Sequence, residues 1–204
     1  MSWKAKAAKG GSGDFEKAPP GNHPAVLIGL IGMGIQENEF GGEKTRQRRA
    51  MFVWELVTEK NKAGGSFIIG IDLTVSLNEK AKLRQWIEAR TGKPMPEGHE
   101  YDLSKELGKP CMLNVTEKNG YPKVAGMAAV PKGFTVPAPT RQPFIWDVDQ
   151  IDANGHFELP SWVPYLYGEP LSEHIKRRVI EDEEGEAVGA GVGNGNSQQE
   201  EEAY

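Results

Sequence analysis

The feature that most constrains the fold is the regular alternation of residues 46–58. Successive side chains of a β-strand point to opposite faces, so a period of two predicts a strand. One face would carry Arg46, Arg48, Ala50, Phe52, Trp54 and Leu56. The other would carry Gln47, Arg49, Met51, Val53, Glu55 and Val57.

Two further strands and one helix accompany this segment. Residues 25–33 form an apolar run short enough for a buried strand, and residues 66–75 form a third strand after an NKAGG turn. Ser76 and Glu79 have the spacing of a capping box, and Gly92 stands where a helix would end. The sequence between them predicts the main helix.

The clearest hairpin signal is Asn119-Gly120, the preferred pair of a type I′ turn, between residues 110–118 and 121–130. Strand, strand, strand, helix and hairpin is the layout of an OB barrel. The sequence therefore predicts a mainly β, OB-fold-like five-stranded barrel with one main helix. A small open sheet packed on one helix is the alternative.

The charge pattern divides the chain into three parts. Residues 1–21 read as a disordered basic arm, residues 22–178 as the folded domain, and residues 179–204 as a disordered acidic tail. The net charge is -5, but the tail holds eight acidic residues and no basic one. The remainder therefore carries 24 basic and 29 - 8 = 21 acidic residues, a balance of +3 that favours a polyanionic partner.

Several functional classes are disfavoured. No apolar run is long enough to span a membrane, and the N-terminus lacks the apolar core of a secretory signal, which predicts a cytoplasmic protein. The lone Cys111 and the scattered histidines offer no zinc spacing, and we expect no cofactor or metal. The glycines of GLIGMG lack dinucleotide-binding spacing, and DVDQIDANG lacks the end ligands of a calcium loop, so no enzyme is predicted.

Cations interleaved with aromatic residues suggest contact with single-stranded nucleic acid, because cations neutralise phosphates and rings stack on bases. Phosphate contacts are predicted for Arg46, Arg48, Arg49, Lys118 and Lys123. Base stacking is predicted for Phe52 and Tyr121, with Trp54 as a third candidate. The competing interpretation places Phe52 and Trp54 in the core and makes the hairpin an ordinary turn.

The tail ends in Glu200, Glu201, Glu202, Ala203 and Tyr204. An anionic segment can compete for a basic surface, and a terminal aromatic residue can anchor it on another protein. The sequence predicts partner docking through Glu200, Glu201, Glu202 and Tyr204. A purely solubilising tail is the alternative.

The segments HPAVLIGLIGMG, RAMFVWEL, LTVSLNEKAKLRQWIEARTGK and YDLSKELGKPCMLNVTEKNGYPKV, in this order, resemble a group of small bacteriophage proteins. These are single-stranded-DNA-binding or replication-associated proteins, and the likeness covers roughly residues 22–175. The resemblance implies an OB-fold protein that coats single-stranded DNA during phage replication or recombination in the bacterial host cell. It also implies docking of the tail on a polymerase, helicase or recombinase, although the two separated acidic clusters and the Ala-Tyr ending depart from the usual pattern.

The sequence thus predicts a non-catalytic, sequence-independent single-stranded-DNA-binding protein and leaves a homo-oligomer open. One alternative is a protein-binding adaptor that uses the aromatic residues of segment 144–167. Another is a metal-dependent nuclease built on Asp147, Asp149 and Asp152.

Overall fold

The computed structural model describes residues 16–40, 42–166 and 169–179. The strands are β1 (Gly21–Phe40), β2 (Glu43–Lys60), β3 (Ser66–Thr74), β4 (Pro110–Lys118), β5 (Tyr121–Ala128) and β6 (Phe144–Trp146). The α-helices are α1 (Lys82–Thr91) and α2 (Leu171–Lys176), and neither they nor the short 3₁₀ turns of the described ranges could cross a membrane.

The sheet follows the strand order β3-β2-β1-β4-β5, with antiparallel neighbours throughout this path. The long β1 makes this order possible, because residues 21–26 pair with β4 and residues 25–40 pair with β2. The outermost strands β3 and β5 approach each other, which curls the sheet toward closure. The predicted mainly β class with one main helix after β3 is confirmed, although the sheet has six strands in the described ranges and not the predicted five.

The inside of the curled sheet forms one hydrophobic core, and α1 covers its open end. The competing interpretation of Phe52 and Trp54 as core residues is confirmed, since both are buried on the inner face of β2 together with Leu56. The Phe52 and Trp54 rings stack with centroids 6.1 Å apart, and Trp86 of α1 meets Trp54 edge-on at 5.8 Å. Burial of these rings stabilises both the sheet and the docking of α1.

The outside of the sheet is covered by the C-terminal part of the described chain, residues 131–166 and 169–179, which we call the cap. β6 of the cap, which was not predicted from the sequence, pairs in parallel with residues 29–31 of β1. A second hydrophobic core forms between the cap and the sheet, with Val53 and Met51 on the sheet side and Trp146 and Ile175 on the cap side. Both faces of the central strands are therefore buried.

Glu55 fixes one segment of the cap to the sheet. Its side chain is fully buried, and its carboxylate accepts hydrogen bonds from the Thr140 backbone N–H at 2.9 Å and the Thr140 hydroxyl at 2.7 Å. The Arg141 backbone N–H donates at 3.1 Å, and the Arg141 guanidinium lies 3.6 Å away. A buried carboxylate is tolerated when it is satisfied in this way.

The predicted start of the main helix was wrong. The helix begins at Lys82 with Ala81 as its N-cap, and the Ser76 hydroxyl instead accepts a hydrogen bond from the Asn78 N–H. Serine side chains bond readily to a nearby turn, so capping-box spacing alone does not determine where a helix starts. The predicted end is confirmed, because Gly92 has the left-handed conformation with φ 67°.

The predicted boundary of the basic arm needs correction at residues 16–20. Ala18 is buried in the barrel core, and the His23 Nε2 lies 2.8 Å from the Pro19 carbonyl oxygen. The Lys17 ammonium donates to the Gly120 carbonyl oxygen. Lys17, Ala18 and Pro19 therefore contact the barrel, and Gly21 is already the first residue of β1, so the end of the arm predicted over residues 1–21 packs on the domain.

Candidate nucleic-acid interface

The candidate site is sought on the outer face of β2 and β3, because Arg49 lies on this face of β2. In this chain the cap occupies the middle of that face. Pro164 of the cap packs closely on Gly70 of β3, since a Cβ atom added to Gly70 would lie 3.4 Å from it. Val53, which pairs with Gly70 on β2, is buried beneath the cap. The end of the face around Arg49, Asp72 and Thr74 retains contact with solvent and defines the candidate site.

Two side-chain pairs organise this open end. The Arg49 guanidinium forms an ion pair with the Asp72 carboxylate on the neighbouring strand. The Thr74 hydroxyl donates to the Gln47 side-chain oxygen at 2.8 Å. These cross-strand contacts fix Arg49 on the outer face, where the register places it opposite Thr74.

The tip of the β4–β5 hairpin provides the exposed aromatic ring of the site. Asn119 and Gly120 have φ 54° and 76°, as a type I′ turn requires, and the predicted hairpin is confirmed. Tyr121 is 68% exposed, and Lys118 and Lys123 flank it with exposed side chains. The Lys17 ammonium lies 4.8 Å from the centre of the Tyr121 ring.

Lys82 at the start of α1 links the hairpin to the outer face. Partial burial and the nearby Lys123 ammonium lower the pKa of Lys82, while Asp72 acts in the opposite direction. Its ammonium also lies 4.8 Å from the centre of the Trp86 ring. The helix α1 contacts both β3, which carries Asp72, and β5, which carries Lys123. A further anion near Lys82 would relieve the repulsion between the two lysines.

The three predicted arginines do not share one surface. Arg49 lies on the outer face, whereas the alternation of β2 directs Arg46 and Arg48 to the opposite face. Arg46 is exposed and pairs with Glu37 at 3.1 Å. Of the three, Arg49 is therefore the one that lies on the outer face, beside Asp72.

The predicted stacking role of Phe52 and Trp54 does not fit the structure. They are 3% and 2% exposed and pack against each other inside the barrel, so neither ring offers a face to a base. Tyr121 is the predicted stacking residue that remains accessible.

Two cations of the site were not among the predicted binding residues. Lys17 lies 103 residues before its partner Gly120, and no local pattern could indicate that contact. Lys82 belongs to a charged helix surface, which sequence patterns cannot distinguish from an ordinary solvated one.

The remaining candidates lie elsewhere. Glu200, Glu201, Glu202 and Tyr204 are outside the described residues. Asp152 accepts hydrogen bonds from the Asn154 and His156 N–H groups within its own turn, and no cluster of metal-binding side chains occurs in the described ranges. The aromatic side chains Phe144, Trp146, Phe157 and Trp162 pack within the cap and against the sheet.

Comparison with protein-family models, with curated proteins and with solved structures gives no match for this chain.

Proposed function

We propose that this protein binds single-stranded nucleic acid without base specificity, along the open end of the β2–β3 face and the β4–β5 hairpin. The observation that carries the proposal is the position of Tyr121, an exposed ring with lysines around it at the hairpin that borders the ligand face of an OB barrel. In this account Arg49, Lys17, Lys82, Lys118 and Lys123 neutralise phosphates. Tyr121 stacks on a base with the face that Lys17 does not cover.

The geometry favours a strand over a duplex. A single exposed ring such as Tyr121 can stack only on a base that is unpaired, and a single strand offers such bases whereas a duplex does not. Contacts to phosphates and to a ring are tolerant of sequence. We propose single-stranded DNA as the substrate class, and coating of it during phage replication or recombination as the biological role.

The direct test is fluorescence anisotropy of a labelled thymidine oligonucleotide, single-stranded and duplex, at about 50 and 200 mM salt. We expect preference for the single strand and an affinity that falls steeply with salt. Tyr121→Ala should weaken binding by about 1–3 kcal/mol if a base stacks on the ring. Tyr121→Phe is the matched control and should bind like the wild type, because it keeps the ring.

The acidic tail has a place in the same proposal. Its eight carboxylates and the basic hairpin have opposite charge, so the tail competes with nucleic acid at low salt. We propose that nucleic acid displaces the tail and that Glu200, Glu201, Glu202 and Tyr204 then dock on a polymerase, helicase or recombinase. Deletion of the last five residues tests the docking. The shortened chain should no longer capture such an enzyme but should bind DNA as before.

A protein-binding adaptor is the second candidate, and specific side chains favour it. Phe134, Ile145 and Tyr165 of the cap are 47%, 44% and 68% exposed, so these large apolar side chains are available for contact with a partner. The triple substitution to serine should abolish a protein partner under the adaptor hypothesis. If the protein instead binds nucleic acid as proposed above, the triple substitution should leave oligonucleotide binding unchanged.

A further inference from the structure

β1 and β2 continue past the barrel as a two-stranded ribbon, residues 36–40 and 43–47. Neither ribbon strand pairs with a third strand of the described chain. The pairing of β2 with β3 ends at Arg49, and the bridge between β1 and Val179 is at Ile35. Within the described ranges, no segment pairs with the outer edge of either ribbon strand. Each edge therefore offers backbone N–H and C=O groups to a further strand.

The ribbon separates charge between its strands. The register sets Glu37 opposite Arg46 and Glu39 opposite Lys44, which places all four on one face. Hydrogen bonds from Lys44 at 2.9 Å and Arg46 at 3.1 Å lower the pKa of Glu37. On this face the β1 strand of the ribbon is acidic and the β2 strand is basic.

This arrangement is complementary to itself when two ribbons lie side by side. Translation of one ribbon sideways sets the β1 edge of one copy antiparallel to the β2 edge of the next, so free backbone groups pair and acidic residues face basic ones. Pairing of two β1 edges would instead oppose Glu37 and Glu39 to their own counterparts. Like charges disfavour that two-fold arrangement, and the contact is therefore head to tail, which can repeat from copy to copy.

We propose that the ribbon is an interaction surface for a second copy of this chain, joined by sheet extension from the acidic edge of one copy to the basic edge of the next. Each edge is short, so the buried area is small and the contact is weak in solution. Copies bound next to each other on one strand have a high effective concentration, and the ribbon then links them. This last step rests on the proposed function, whereas the contact itself does not.

Charge reversal of each edge tests the contact without nucleic acid. We expect the sedimentation coefficient of the full wild-type chain to rise with concentration. The variants Glu37→Lys with Glu39→Lys, and Lys44→Glu with Arg46→Glu, should each need at least tenfold higher concentration for the same rise. An equimolar mixture of the two variants should recover the wild-type behaviour, because each edge again meets its opposite.

A fourfold variant that exchanges the charges of both edges is the control for folding, since it keeps the ion pairs within the ribbon. It should self-associate like the wild type. Three results would overturn the proposal. The wild-type chain could stay monomeric at every concentration, both single-edge variants could self-associate like the wild type, or their mixture could fail to recover self-association.

Nucleic acid of two lengths separates this proposal from the proposed function. An oligonucleotide of about ten nucleotides, near the span of one OB domain, reports the affinity of a single copy. A strand several times longer reports cooperativity, which each single-edge variant should lose and the mixture should regain. If the short strand is not bound but concentration-dependent association and its recovery persist, the ribbon contact stands and the proposed function fails.

Discussion

Glu55 shows how one buried side chain decides the position of a whole segment. Burial raises the pKa of this carboxyl, but hydrogen bonds from Thr140, Ser66 and Arg141 outweigh it, and the net pKa lies below its ordinary value. The charged form is thus the stable one, and its partners are backbone and side-chain donors of the cap. The cap segment around Thr140 depends on that charge.

Replacement of Glu55 by glutamine should therefore destabilise the protein. The amide N–H₂ group would face the N–H donors of Thr140 and Arg141, and the Arg141 guanidinium would lose its counter-charge. We expect the free energy of unfolding to fall by about 3 kcal/mol. Urea unfolding followed by tryptophan fluorescence measures this value. Glu117→Gln, at an exposed site on β4, is the matched control and should change it by less than about 0.5 kcal/mol.

The same residue predicts a pH dependence. Because the pKa of Glu55 is lower in the folded state, its stabilisation is fully present above the unfolded value of about 4 and is lost as the pH falls through the folded value. We expect the wild type to lose stability in this acidic range. The Glu55→Gln variant should show a shallower loss over the same range, and parallel curves would contradict the assignment.

Cys111 is a second buried residue with a measurable consequence. It lies in the barrel core with no exposed surface, and burial raises the pKa of its thiol to about 12. A thiol reagent at mildly alkaline pH should react with less than one tenth of the native protein in the time that labels the denatured chain fully. Rapid labelling of the native chain would mean that β4 opens readily.

At the scale of elements, the β4–β5 hairpin is the unit on which the candidate site depends. Its turn requires two residues in the left-handed region, and Gly120 adopts φ 76° there. A Cβ at Gly120 would meet only ordinary contact, since the nearest atom, the Lys17 ammonium, is 3.8 Å away. Substitution at this position therefore reports on backbone conformation rather than on crowding.

Gly120→Ala should destabilise the hairpin by about 1 kcal/mol, because an L-residue is strained in this conformation. Gly126→Ala on β5 is the matched control, since the φ of Gly126 lies outside that region and no atom lies within 4 Å of its added Cβ. Thermal unfolding compares the two. An equal shift in both variants would contradict a type I′ turn in solution.

The elements also show what sequence patterns determine. Alternation and turn residues are local properties, and they correctly placed β2 and the hairpin. The start of α1 was misplaced because Ser76 has a local alternative to capping. β6 was missed because three residues carry too little pattern, and its pairing with β1 depends on a strand more than one hundred residues earlier.

At the scale of the whole molecule, the cap explains why the site prediction succeeded only in part. Large apolar side chains occur on both faces of β2, with Phe52 on one and Val53 on the other, and such a strand is buried on both sides. That signal was present in the sequence and could have indicated a second layer. The sequence could not show which residues form this second layer, because the segments of the cap share no regular hydrophobic pattern.

The distribution of charge between domain and tail gives a prediction at this scale. A chain ending at residue 180 keeps the Val179–Ile35 bridge and loses the tail carboxylates that compete with nucleic acid. It should bind the thymidine oligonucleotide at least threefold more tightly than the full chain at about 50 mM salt, and the difference should narrow at about 200 mM. Equal affinities at low salt would show that the tail does not compete.

The measurement that tests the central claim most directly is the salt dependence of oligonucleotide affinity after charge reversal at the hairpin. Lys118→Glu with Lys123→Glu should lower the affinity at least tenfold and reduce the slope of log affinity against log salt by about 1.4, since each lost phosphate contact removes about 0.7. The control Lys93→Glu with Lys132→Glu makes the same change in net charge at exposed positions outside the site. The account predicts that this control stays within threefold of the wild type. Equal losses in both variants, or none in the hairpin variant, would contradict binding at this surface.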